Sequence, residues 1–196
     1  MKPQIGFFRL AAIAAVAIVA NGSQGVTAQS TLEPDTAMRV FYERVESYAA
    51  LHRRLAPPPP VAGSTDPISR LLTSQYLASA IRGARRYADQ GEIFTPDVAR
   101  IFRARLADSI GERDGQMFLF ELNEGELPLH VHPTVNEPYT MTRLYRVPAD
   151  VRLGLPGLPR ELDYRIAGRD LLLWDIYAGI VVDFVPDAFV TSVTTE

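Results

Sequence analysis

The chain is predicted to be an α+β protein, with N-terminal helices packed on one face of a small, mainly antiparallel sheet that ends in a three-stranded meander. Three observations predict this. Apolar residues recur at helical spacing between residues 35 and 110. Residues 162–186, LDYRIAGRDLLLWDIYAGIVVDFVP, hold three apolar strand-like runs. Two turn signals, at Gly168-Arg169 and around Tyr177-Ala178-Gly179, separate those runs.

The N-terminus predicts export. Lys2 and Arg9 form a cationic start, residues 10–20 are an unbroken apolar run, and a polar stretch follows. That run is shorter than the roughly 20 residues that span a bilayer. It has the proportions of a secretory signal, and Val26-Thr27-Ala28 offers small residues for cleavage after Ala28. Residues 1–28 are therefore read as a signal peptide, 29–34 as a disordered leader and 35–196 as a single α+β domain. Its helical part covers 35–110 and its stranded part 115–186. The expected location is the periplasm or the exterior, with no transmembrane segment after signal removal.

Removing Lys2 and Arg9 from the 20 basic residues leaves 18 arginines against 23 acidic residues, a net charge of −5. Such a balance lacks the concentrated positive field that nucleic acid requires. The chain has no cysteine, which excludes disulfides, thiol catalysis and lipid attachment at a cysteine.

The first helix is DTAMRVFYERVESYAALHRRLA, where Met38, Phe41, Val45, Tyr48 and Leu55 fall on one stripe together with His52. A histidine on such a stripe is read as a boundary residue with a satisfied ring. Pro57 to Pro60 stop the helix and predict an extended spacer. The second helix starts with Asp66 as cap and Pro67 at its first position, and is expected to run to about Gln90, where Gly91 takes a left-handed stop. Leu72, Tyr76, Ala80, Gly83 and Tyr87 form its expected apolar stripe, beside Leu77, Ile81, Ala84 and Ala88. Arg82, Arg85 and Arg86 lie toward the other side. The third helix is capped by Thr95, with Pro96 next and Val98, Phe102 and Leu106 buried.

Past Gly111, GQMFLFELN is read as a strand, and LPLHVH as a strand with Leu127, Leu129 and Val131 inward and His130 and His132 outward. RVPADVRLGLPGLPREL is read as loop with a short helical turn near Ala149. The two C-terminal turns set a register with Tyr164 opposite Leu173 and Leu173 opposite Val182. Leu162, Tyr164, Ile166, Leu171, Leu173, Ile180, Val182 and Phe184 then share an apolar face, with Asp175 near its end. The other face carries Asp163, Arg165, Ala167, Leu172, Trp174, Val181, Asp183 and Val185. Arg165, Leu172 and Asp183 would form one cross-strand row, and Asp175 and Asp183 would point to opposite sides, which excludes them as an acid–base pair.

No P-loop, dinucleotide-binding glycine fingerprint or nucleophile elbow is present, so no cofactor is expected. The mixed sheet face is the candidate recognition surface, with Trp174, Arg165, Asp183 and Asp163 selecting a protein, peptide or glycan partner. Its alternative is a half-covered face whose Arg and Asp neutralise each other. His130 and His132 have the spacing for two metal ligands on a strand, but Glu124, Glu126, Glu137 and His52 offer no characteristic spacing for a third.

The segment GEIFTPDVARIFRARL, followed by LPRELDYRIAGRDLLLWDIYAGIVVDFVPDAF, resembles a group of secreted bacterial proteins of uncharacterised function. The matching positions are Leu158, Pro159, Leu162, Tyr164, Arg165, Gly168, Leu171, Asp175, Val182 and Asp183. The resemblance spans roughly residues 40–190, and its last third is the specific part. LHVHPTVNEPYTM departs from the group's pattern. The resemblance implies a signal peptide and helical region before a C-terminal β segment, and carries over no activity or site residue.

The leading expectation is a non-enzymatic exported binding or envelope-associated domain. A metal-dependent or hydrolytic enzyme built on His130 and His132 is the second, and a membrane-surface protein using Arg82, Arg85 and Arg86 the third. The intact mass of the protein recovered from the cell envelope is expected to correspond to a chain beginning at Gln29; a chain retaining Met1 overturns the cleavage.

Overall fold

Proline and a capping side chain open the second and third helices as the sequence predicts. In the computed structural model, which describes residues 33–58, 66–111, 114–126, 131–140 and 143–189, α2 (Pro67–Ala84) starts where the Asp66 carboxylate accepts from the amides of Ile68 and Ser69. α3 (Pro96–Ile110) starts where Thr95 Oγ1 accepts from the Val98 amide. α1 (Pro34–Leu55) begins at Pro34, so helix replaces the end of the expected leader. The expected signal segment and the last two prolines of the spacer lie outside the described residues.

α1 buries Met38, Phe41, Val45, Tyr48 and His52, as its periodicity predicts. α3 buries Val98, Phe102 and Leu106. Between them Phe41, Phe94 and Phe102 form an aromatic cluster with ring centroids 5.0–5.7 Å apart, and Tyr164 joins it at 5.9 Å from Phe102. This cluster is where the helices meet the sheet.

Two helical expectations are corrected. α2 ends at Ala84 rather than near Gln90, because Asn136 Nδ2 donates to the Arg85 carbonyl and the Arg85 side chain turns inward. Its buried side is Leu77, Ala78 and Ile81, whereas Leu72, Tyr76 and Tyr87 are exposed. GQMFLFELN is not a strand. It forms α4 (Gly115–Leu122), with Asp114 accepting from the Gln116 amide. Gly115, Phe118 and Leu119 are buried and Leu122 half-buried, a helical spacing that the continuous apolar run conceals. A Cβ on Gly115 would collide with the Phe189 carbonyl, so the glycine permits a close approach of the chain end.

The sheet is antiparallel throughout, in the order β1 (Leu144–Arg146), β2 (Leu162–Ala167), β3 (Asp170–Asp175) and β4 (Ile180–Val185). Strand β1 reaches into the segment expected as loop; it pairs with β2, Tyr145 opposite Ile166. The expected short helical turn is α5 (Ala149–Leu153). Of LPLHVH, only Val131 and His132 are described, and both are irregular rather than strand.

The first hairpin is as predicted: Gly168, at φ +57°, leads a two-residue turn and Tyr164 lies opposite Leu173. The second starts as predicted, with Asp175 opposite Ile180 and Trp174 opposite Val181. It then departs. A β-bulge skips Val182, so Leu173 faces Asp183 instead. The bulge turns every later side chain over. Val182 and Val185 join Tyr164 and Leu173 in the core under the helices, while Phe184 joins Ala167, Leu172 and Val181 on the far face.

The reason lies in Asp183. Its carboxylate accepts from the amides of Gly91, Ile93 and Phe94 at 2.6–2.8 Å and from its neighbour Phe184 at 2.8 Å. Burial lifts this carboxyl above the ordinary range, against the opposing pull of the backbone donors. An unbulged strand would aim it away from those amides.

Side chains and loop backbone close the outer edge of β4. The Val181 amide and carbonyl pair with Glu137 O and the Asn136 amide. The Val182 carbonyl accepts from Arg85 and the Phe184 carbonyl from Gln90 Nε2. Asp183→Asn keeps the shape but loses two acceptor sites, and is expected to lower stability by about 3 kcal/mol, read from the shift of the urea unfolding midpoint.

Candidate functional site

At the end of the sheet, Asp175 closes β3 and holds the turn that follows. Its Oδ1 accepts from the amides of Tyr177 (2.9 Å) and Ala178 (2.7 Å). Oδ2 meets two side chains from α1, the Tyr48 hydroxyl at 2.7 Å and His52 Nδ1 at 2.6 Å. Asp175 has no solvent exposure, so four donors replace the water it gives up. Burial, reinforced by the adjacent carboxylate, pushes the Tyr48 hydroxyl well above its ordinary value and keeps it a protonated donor. His52 is thus a structural link between α1 and the turn, with its ring against Tyr177 at 5.6 Å.

The turn 176–179 is thereby presented outward, with Ile176 and Tyr177 exposed. Ser74 of α2 donates to the Ala178 carbonyl at 3.1 Å and ties helix to turn. Between them runs a groove of about 650 Å³, lined on the helix side by Arg70, Leu71, Thr73 and Leu77 and on the turn side by Ile176 and Tyr177. Leu71 is itself 57% exposed. Among the described residues, Arg70 is the only charged one that lines the groove. Apolar walls with one cation suit an apolar ligand that carries an acidic group.

The residues predicted from sequence are not all gathered in one place. Asp163 and Arg165 are, at 3.1 Å, and Arg152 holds Asp163 from the other side at 2.7 Å. Trp174 stands opposite Asp163 and is half-buried against Tyr139, Phe184 and their neighbours. Asp183 is separated from them: the bulge sends it into the helical layer, and the row through Arg165 and Leu172 ends on Phe184. Asp175 and Asp183 consequently point to the same side, contrary to the register expected. Each is fully buried and held by its own four donors, so they do not form an acid–base pair.

His130 lies outside the described residues. His132 is half-exposed; its Nδ1 sits 2.8 Å from Asp170 Oδ2, and its ring stacks on Phe184. Asp170 also accepts from the Asp187 amide at 2.8 Å, and burial raises its carboxyl while the histidine contact pulls it down. The pair ties the 131–140 segment to the chain end. Among the described residues no cluster of three or more metal-ligating side chains exists.

The arginine face is also redistributed. Arg85 is an internal group, over the Tyr48 ring at 5.1 Å, with Glu92 and Asn136 each at 2.8 Å. Arg82 pairs with Glu137 at 3.2 Å, and only Arg86 projects with Tyr87 beneath it. No helix among the described residues is long and apolar enough to cross a membrane.

No family model, curated protein or solved structure matches the chain. The groove carried no motif that sequence could have revealed; its one legible signal was the apolar pair Ile176-Tyr177 inside a turn. Tyr48→Phe removes one donor from a buried carboxylate and is expected to cost about 1.5–3 kcal/mol in urea unfolding. An unchanged midpoint would show that Asp175 does not depend on the Tyr48 donor.

Proposed function

We propose that the chain is an exported, non-enzymatic binding domain whose recognition surface is the groove between α2 and the 176–179 turn. Its ligand is a polypeptide segment that presents an apolar side chain next to a carboxylate. The observation that carries this reading is the composition of the groove: Leu71, Leu77, Ile176 and Tyr177 give the walls and Arg70 the positive charge. The N-terminal signal features support export.

The Asp175 network supports the same reading. A turn held by two of its own amides, two α1 side chains and Ser74 is ordered before a ligand arrives, which lowers the entropy cost of binding. The Trp174 face is less suited, because the indole is partly covered by Tyr139, Phe184 and their neighbours.

Fluorescence polarisation against short acidic–apolar and basic–apolar peptide sets tests the proposal. Acidic–apolar peptides are expected to bind, with Arg70→Glu and Tyr177→Ala each weakening them at least about tenfold and Trp174→Ala leaving them unchanged. Loss of binding in Trp174→Ala alone would move the site to the sheet face.

A further inference from the structure

Helix α2 has two apolar sides. One, through Leu77, Ala78 and Ile81, is buried in its own chain. The other is a row four residues apart, Ile68, Leu72 and Tyr76, in which each side chain is 59–66% exposed. Three large apolar residues in one exposed row mark a contact surface rather than scattered surface hydrophobics.

The continuation of the row identifies what fits it. Beyond Tyr76 come Ser79 and Gly83, both small and both exposed, and a Cβ added to Gly83 would meet nothing within 4 Å. The row is therefore bulky in its first half and hollow in its second. A serine is tolerated under an apolar side chain, because in a helix its hydroxyl can donate to the carbonyl one turn back. A two-fold axis crossing α2 beside Tyr76 brings bulk onto hollow twice. Ile68 of one copy falls over Gly83 of the other, and Leu72 over Ser79. Isologous contacts demand this kind of self-complementarity.

Charge obeys the same symmetry. Asp66 caps the start of α2, and hydrogen bonds from Ser69 hold its carboxyl below the usual range. Arg86 stands just past the other end and is exposed. Antiparallel copies set each Asp66 toward the other's Arg86 and oppose the helix dipoles. A parallel pair would set like charges together. We propose that α2 is the interface of a homodimer, in which two copies pack antiparallel with Ile68 and Leu72 of each seated over Gly83 and Ser79 of the other. The groove uses other positions of the helix, so this interface is independent of the binding proposed above.

One helix pair gives an interface near the lower end of stable dimers, so dissociation on the order of micromolar is expected. Sedimentation equilibrium of the protein as recovered from the cell is expected to show a dimer at tens of micromolar that dissociates on dilution. Leu72→Arg and Gly83→Leu should each raise the dissociation constant at least about tenfold, with circular dichroism unchanged. Gly83→Leu is the sharper variant, because leucine favours helix and its effect is then steric. The chain contains no cysteine, so introduced ones report register. Tyr76→Cys should form an intermolecular disulfide alone, and Ile68→Cys only when mixed with Gly83→Cys.

A monomer throughout that range, or a dimer indifferent to Leu72→Arg, overturns the proposal. Equal disulfide formation by Ile68→Cys alone overturns the antiparallel arrangement. Co-sedimentation of a monomeric protein with anionic vesicles, lost in Leu72→Arg, would assign the row to lipid instead. Unaltered peptide binding by Gly83→Leu would separate this outcome from that of the groove.

Discussion

Buried carboxylates on the last two strands organise this molecule. Asp170, Asp175 and Asp183 are each almost completely removed from solvent, and each fastens a different irregular segment to the sheet. Asp170 holds the chain after β4 and His132, Asp175 the turn after β3, and Asp183 the loop that leads from α2 into α3. Burying an ionised group is costly unless donors replace its hydration, and in Asp175 and Asp183 four donors do so. The donors are mostly backbone amides, which cannot find other partners without unfolding the segment that carries them. A single carboxylate thus fixes a whole loop, and the cluster of Phe41, Phe94 and Phe102 packs over loop backbone that Asp183 has already positioned.

This arrangement explains why the sheet is irregular where it is. A regular β4 would alternate strictly and place Asp183 on the same face as Arg165, across Leu172 of β3. The bulge at Val182 allows two successive residues to face the helices, one supplying apolar packing and the other the loop clamp. The far face then receives Phe184 and becomes a small secondary core with Tyr139, Leu172 and Val181. Covering that face consumes residues that the strand pattern alone leaves open for recognition.

Much of the architecture was legible because it rests on local rules. Periodicity located α1 and α3, the pairs Asp66-Pro67 and Thr95-Pro96 located helix starts, and Gly168 located the first hairpin with its register. The failures share one cause, which is tertiary context. In α4 the spacing of Gly115, Phe118, Leu119 and Leu122 was present but hidden by exposed Met117 and Phe120 filling the gaps. In α2 the larger apolar residues are the natural choice for the core, yet Leu77, Ala78 and Ile81 take that place. The bulge depends on amides about 90 residues away in sequence, at Gly91, Ile93 and Phe94, and no pattern within β4 announces it. The candidate groove was illegible for the same reason, since its walls come from segments about a hundred residues apart.

The closed rim of β4 has one more consequence. With Val181, Val182 and Phe184 already engaged by Asn136, Glu137, Arg85 and Gln90, an incoming polypeptide finds no main-chain ladder to extend along this border. The opposite border, β1, is three residues long and offers little template. Among the described residues, strand addition along the β4 border is thereby blocked, and so is growth of one sheet onto the next across it. Whatever this domain greets must be read in the language of side chains.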